Sequence, residues 1–151
     1  MPATPVSLKA RALRLLGSRE YSRLELQRKL SAHEEQAGSL TQTLDELQAK
    51  GFIDEQRVLE SVIHRRAAKL GTARVKQELQ AKGLDAQSIS QAVAGLRDTE
   101  LARAREVWRK RFDTPTADAK ARAQQARFLA ARGFGGDTIR QVLNLPDDEA
   151  K

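Results

Sequence analysis

An all-α chain of three tandem three-helix repeats, forming an elongated and curved array, is what this sequence predicts, and three observations predict it. Apolar residues recur with a period near 3.6 and nowhere alternate with period two for long enough to make a strand. The chain is rich in Leu, Ala, Glu, Gln, Lys and Arg, all good helix formers, and only 4% of it is aromatic. Most tellingly, it repeats itself. At an offset of 50, "VKQELQAKGLDAQSISQAV" (75–93) aligns with "QARFLAARGFGGDTIRQVL" (125–143), placing Leu79 on Leu129, Lys82 on Arg132, Gly83 on Gly133 and Ile89 on Ile139. At an offset of 49, Leu26 falls on Val75, Leu30 on Leu79, Leu40 on Ile89, Leu44 on Val93 and Leu47 on Leu96.

The first repeat, 6–53, carries two capping-box patterns, "SRLE" from Ser22 to Glu25 and "SLTQ" from Ser39 to Gln42, each able to satisfy free N–H groups at a helix start. Between them, "HEEQAGS" replaces the Lys-Gly or Arg-Gly of the later repeats, so the second helix is expected to end through a longer segment. In the second repeat, 54–97, Leu59, Val62, Ile63, Ala67 and Leu70 share one stripe that Gly71 and Thr72 interrupt. A second stripe runs through Val75, Leu79 and Ala81 to Gly83, a residue suited to the left-handed conformation past a helix end. Asp85 then caps a helix bearing Ile89, Val93 and Leu96. The third repeat, 98–146, follows the same plan: Leu101, Ala104, Val107, Trp108 and Phe112 on a first helix, the turn "DTPTAD", a second helix closing on "RFLAARG", and a third reading "DTIRQVL". Trp108 and Phe112 lie one turn apart on one face, a spacing that suits core packing more than an exposed anchor.

A unit of about 45 residues with so few aromatics buries too little surface to stand alone, so copies in series must share interfaces. An elongated monomer is expected, its extended face suited to lying along another extended object. The chain lacks Cys, which removes disulfides, thiolate metal sites and cysteine nucleophiles together. Its first nineteen residues hold Lys9, Arg11, Arg14 and Arg19 without an acid, a faint transit-peptide character, but they lack the apolar core of a secretory signal. No run approaches a membrane span, and a soluble cytoplasmic protein is expected.

The formal charge of +7 points to a polyanion or an acidic protein surface as partner. Two stretches concentrate it. From His64 to Lys82, six basic residues (Arg65, Arg66, Lys69, Arg74, Lys76, Lys82) face one acid, Glu78; from Leu101 to Arg132, nine, among them Arg109, Lys110, Arg111, Arg122, Arg127 and Arg132, face Glu106, Asp113 and Asp118. These twelve named residues are the candidate partner-binding set, the middle repeat being the expected main contact; the competing reading is that they only solvate helical faces.

The stretch "ALRLLGSREYSRLELQRKL" (12–30) resembles the opening repeat of the RecX family, bacterial regulators that bind the recombinase RecA. The resemblance rests on Ala12, Leu13, Leu15, Leu16, Arg19, Glu20, Ser22, Glu25 and Leu26, and continues in "GFID" (51–54), "RVKQELQAKGL" (74–84) and "RFLAARGF" (127–134). It covers roughly 8–144; His33-Glu34 in the first repeat and Leu59, where the family often has an aromatic residue, depart from it. It implies a non-enzymatic modulator that lies in the groove of the RecA–DNA filament and lowers recombinase, ATPase and co-protease output, with no cofactor.

A rival reading is the helix-turn-helix DNA reader, but the would-be recognition helix, Gln87 to Leu96, offers Gln87 and Gln91 and no Lys or Arg. That leaves weak, non-specific DNA contact as an accessory to partner binding. Catalytic patterns are missing: there is no phosphate-cradling "GxxxxGK" and no Gly-x-Ser-x-Gly elbow. His33 and His64 are isolated, and the adjacent carboxylates Glu34 with Glu35, and Asp147 with Asp148 and Glu149, are read as solvating charge rather than metal ligands or an acid–base pair.

Overall fold

The computed structural model describes residues 6–144, and all regular structure among them is helical. In chain order the elements are α1 (Leu8–Ser18), α2 (Arg23–Leu30), a 3-10 turn (Ser31–His33), α3 (Ser39–Ala49), α4 (Glu55–Arg66), α5 (Thr72–Ala81), α6 (Ala86–Arg111), α7 (Ala119–Ala131) and α8 (Gly136–Leu143). They make a tandem three-helix repeat fold: α1–α3, then α4, α5 and the first half of α6, then the second half of α6 with α7 and α8. Residues 145–146 of the expected third repeat, and Asp147 to Glu149, lie outside the described residues.

Among the described residues the chain forms two compact units, one running to Ser61 and including Ala81–Leu84, the other made of Val62–Gln80 and the residues from Asp85 onward. In the first, Ala12, Tyr21, Leu26, Leu30, Leu40, Leu44, Leu47 and Ile53 form a buried cluster against which Leu8, Leu13, Leu15 and Leu16 pack. The Ser22 capping box closes as its sequence predicts, the hydroxyl accepting from Glu25 N and the Glu25 carboxylate accepting from Ser22 N. The second expected box, Ser39 to Gln42, does not form. Gly38, at φ +87°, takes the N-cap position of α3, the Ser39 hydroxyl donates to Gln36 O, and the Glu34 carboxylate accepts from Leu40 N at 2.8 Å. The long "HEEQAGS" segment thus loops an acid back onto the helix start, where a negative charge suits the exposed N–H groups. Glu34 caps a helix and is not merely solvating charge.

Glu25 also takes hydrogen bonds from Arg19 at 2.8 Å and from Lys82 at 3.0 Å. Burial alone would raise its pKa; the donors Arg19, Ser22 N and Lys82 outweigh burial and hold it at about 2, against an ordinary 4.5. Since the folded value lies below the unfolded one, its contribution to stability is complete above pH 4.5 and is lost as pH falls toward 2. The Glu25→Gln variant is therefore expected to show a shallower loss of stability across that window in urea titrations; an unchanged slope would mean that Glu25 does not carry the dependence.

In the second unit, one cluster joins Ala104, Val107, Leu129, Phe134, Ile139 and Leu143. Asp85 caps α6 through its carboxylate and Gly83 (φ +73°) stands in the left-handed region just past α5, as the sequence predicts; Asp118 caps α7, and Gly133 (φ +93°), the repeat equivalent of Gly83, stands just past it. The expected boundary between the second and third repeats is not a break. Arg97, Asp98, Thr99 and Glu100 contain no Gly or Pro, and α6 runs through them as one helix of 26 residues.

Candidate functional site

The middle of α6 organises the second unit. Its buried stripe runs Ile89, Val93, Leu96 and resumes at Ala104 and Val107; the turn between holds Glu100 and Arg103 on polar duty. The Glu100 carboxylate accepts from Thr72 N (2.9 Å) at the start of α5, and from Gly135 N (3.3 Å) and Thr138 Oγ1 (2.8 Å) at the start of α8. Burial would raise its pKa, and these three donors lower it overall. Arg103 donates to the carbonyls of Ala67 (2.8 Å), Leu70 (2.7 Å) and Leu96 (2.8 Å), gathering the chain end of α4 onto α6. Sequence reasoning missed both residues; the signal available was a charged pair where the 3-4 spacing calls for apolar side chains.

That arrangement fixes the α4–α5 connection beside α6 and α7, and there four of the twelve candidate cations meet. Lys69 from the connection, Lys110 and Arg111 from the end of α6, and Arg132 from the end of α7 surround a cleft of about 280 Å³ floored by Ala68, Val107 and Phe128. No acid lines it. The guanidinium carbons of Arg132 and Arg111 lie 4.7 and 5.8 Å from the Phe128 ring centre, and Phe112 meets the same ring edge-on at 5.3 Å.

The other eight candidates divide. Arg66 pairs with Glu78 (3.1 Å), Arg74 donates to Ala131 O (2.7 Å), Lys82 pairs with Glu25, Arg109 pairs with Glu106, and Arg122 holds the carbonyls of Leu143 (2.8 Å) and Asn144 (3.2 Å) at the end of α8. These five are engaged within the fold. Arg65, Lys76 and Arg127 are exposed, make no hydrogen bond or ion pair among the described residues, and lie outside the cleft.

Repeat alignment explains why Arg132 is in the cleft at all. Lys82 and Arg132 are equivalent, as are Glu25 and Arg74. In the first unit the equivalent positions make an ion pair whose side chains are only 13% and 19% exposed. In the second they are both Arg, so no pair forms: Arg74 turns to Ala131 O and the Arg132 head group lies over Phe128. Trp108 packs half-buried against the third-repeat cluster with its Nε1 donating to Gln125 Oε1 (2.9 Å), the core role its spacing suggested. His33 and His64 are exposed, and no group of three or more His, Asp or Glu among the described residues could hold a metal.

Comparison with known proteins bears on the same region. Residues 54–93 match the family description RecX, second three-helix domain, and residues 98–143 match RecX, third three-helix domain, together more than half the chain. The chain belongs to the RecX family. Among RecX relatives, the Regulatory protein RecX of Leptothrix cholodnii is 52% identical over 144 residues, covering 95% of this chain and 92% of its own. That of Ralstonia nicotianae is 43% identical over 147 residues, covering 97% and 92%. The crystal structure of RecX from Lactobacillus salivarius superposes with a TM-score of 0.72 at 18% identity, covering 92% of this chain and 96% of that one, which speaks for the RecX fold. In this RecX chain the cleft draws its lining from both matched domains: Ala68 and Lys69 from the second, Val107, Lys110, Arg111, Phe128 and Arg132 from the third. No helix among the described residues is long and apolar enough to cross a membrane.

Proposed function

We propose that this chain is a non-enzymatic regulator that binds the RecA–DNA filament along its helical groove and lowers recombinase, ATPase and co-protease output, working as a cytoplasmic monomer with the α6–α7 cleft on its contact face. The observation that carries the reading is the cleft itself: four cations from three chain segments converge with no compensating acid among the described residues, in a chain whose relatives bear the name Regulatory protein RecX. Several modest contacts strung along one chain give avidity without a deep pocket. Direct sequence-specific DNA reading has less support, because the residues after the Gly83 turn, 86–96, present Gln87 and Gln91 and no cation before Arg97. DNA contact enters as a weak, non-specific accessory.

The deciding measurement compares binding to naked single-stranded DNA with binding to RecA-coated DNA at matched salt. Tighter binding to the coated strand, with inhibition of RecA's DNA-dependent ATPase, is the expected result. Equal or stronger binding to naked DNA would overturn the reading in favour of a DNA-binding protein.

A further inference from the structure

The cleft has an apolar floor as well as a charged rim, and the two together define a ligand. We propose that it receives an acidic peptide segment that inserts one large apolar side chain against Val107 and Phe128 while flanking carboxylates meet Lys69, Lys110, Arg111 and Arg132. The proposal rests on the reading above that this face meets the filament, and it assigns the contact to the filament's protein rather than to its DNA.

Charge complementarity calls for an anion, since four cations enclose one hollow with no acid among the described residues in its lining. The form of the hollow selects among anions. Proteins that hold single strands offer open aromatic faces on which bases stack, along a basic track that follows the backbone. Here the aromatic surface is already occupied: Phe112 abuts Phe128 edge-on and the guanidiniums of Arg111 and Arg132 sit against the same ring. A base finds no platform, whereas Ala68, Val107 and the remaining edge of Phe128 leave a space of about 280 Å³, fit for one large side chain. Guanidiniums held against a ring are pre-oriented for the planar, two-point recognition that carboxylates accept. Arg132 adds a separate argument. Its equivalent Lys82 is neutralised by Glu25, while the position equivalent to Glu25 is Arg74, and Arg132 makes no ion pair among the described residues. The ligand supplies the carboxylate that stands at the Glu25 position in the first unit and is replaced by Arg74 in the second.

The test uses the full chain and a fluorescein-labelled hexapeptide, Asp-Glu-Asp-Phe-Asp-Glu, followed by anisotropy, with the Phe-to-Ala peptide and a thymidine oligonucleotide as comparators. The Phe peptide should bind about tenfold or more tightly than the Ala peptide, as burial of one aromatic side chain implies. Lys69→Glu with Lys110→Glu should weaken it at least as much. Arg74→Glu, which restores the first unit's pair and draws Arg132 away from the cleft, should also weaken it, whereas Arg74→Met, which removes the same hydrogen bond without adding a carboxylate, should bind as the parent does. Equal binding of the two peptides, displacement of the Phe peptide by the oligonucleotide at equal charge, or no peptide binding at all would each overturn the proposal. Inhibition of the RecA ATPase, measured on the same samples, separates the two levels: inhibition that persists without peptide binding sinks this inference alone.

Discussion

Replacing Lys69 and Lys110 with Glu should reduce inhibition of RecA's DNA-dependent ATPase about tenfold or more, by placing two negative charges in a hollow that has none. Both side chains are exposed and neither makes a hydrogen bond or ion pair among the described residues, so the melting temperature should scarcely move. The informative control is Arg65→Glu with Arg127→Glu, which changes the net charge by the same amount at two exposed sites outside the cleft. If general attraction between a basic protein and a polyanion were all that mattered, the two double variants would lose inhibition alike, with equal salt dependence. A selective loss in the first pair assigns the contact to the cleft; a folded Lys69/Lys110 variant that inhibits like the parent at low and moderate salt removes the cleft from the contact face.

Gly71→Ala should be strongly destabilising for a single added methyl. A Cβ there would lie 2.3 Å from the carbonyl carbon and oxygen of Gly133 and 2.4 Å from Phe134 N. Those are backbone atoms, in a place where Gly71 N already donates to Arg132 O at 2.7 Å, so neither strand of chain can yield without giving up that bond. Overpacking commonly costs about 1–3 kcal/mol, and a backbone obstacle belongs at or beyond the upper end. Gly95→Ala is the counterpart: it sits inside α6 with nothing within 4 Å of the added carbon and should stabilise by about 0.5–1 kcal/mol through helix propensity. Urea unfolding of both variants checks the pair. A mild effect at Gly71 would mean that the approach of the α4–α5 connection to the end of α7 is looser than the structure has it.

How much of this was legible in the sequence depends on how local each feature is. Gly83 and its repeat equivalent Gly133, Asp85, and the Ser22 capping box act within a few residues of themselves, and the sequence pointed to each of them. Leu26, Leu30, Val75, Leu79 and Leu129 are buried because their spacing requires it. The Ser39 box failed because Glu34, five residues upstream, out-competed the nearer side chains for the helix start. The passage from the second repeat to the third at residue 97 leaves no mark on the backbone, because a repeat in sequence need not be a break in the helix. The candidate cations were harder still. A basic cluster in sequence says nothing of which members meet a carboxylate, and Arg66 and Lys82 each found one, in Glu78 and Glu25, while Lys69 found a hollow shared with Val107 through Arg132, 38 to 63 positions away. Glu100 was invisible for the same reason: its partners Thr72 and Thr138 lie 28 and 38 residues away in opposite directions.

Glu100 has a twin. Glu55, at the start of α4, accepts from Arg23 N at the start of α2, much as Glu100 on α6 accepts from Thr72 N at the start of α5. In each case the acid belongs to one copy of the repeat and closes a helix belonging to the copy before it, and the Gly83 turn with Leu24, like the Gly133 turn with Arg74, reaches backward in the same sense. The period written in the sequence and the period of physical cohesion are therefore out of phase by roughly one helix. A gene that gained or lost a copy at the sequence boundaries would leave the preceding copy with an open helix start, whereas an exchange point set inside α4, or in α6 just past Glu100, would keep Glu55 with α2 and Glu100 with α5. The lengthening or shortening of such an array is thus restricted to splices that respect the later phase.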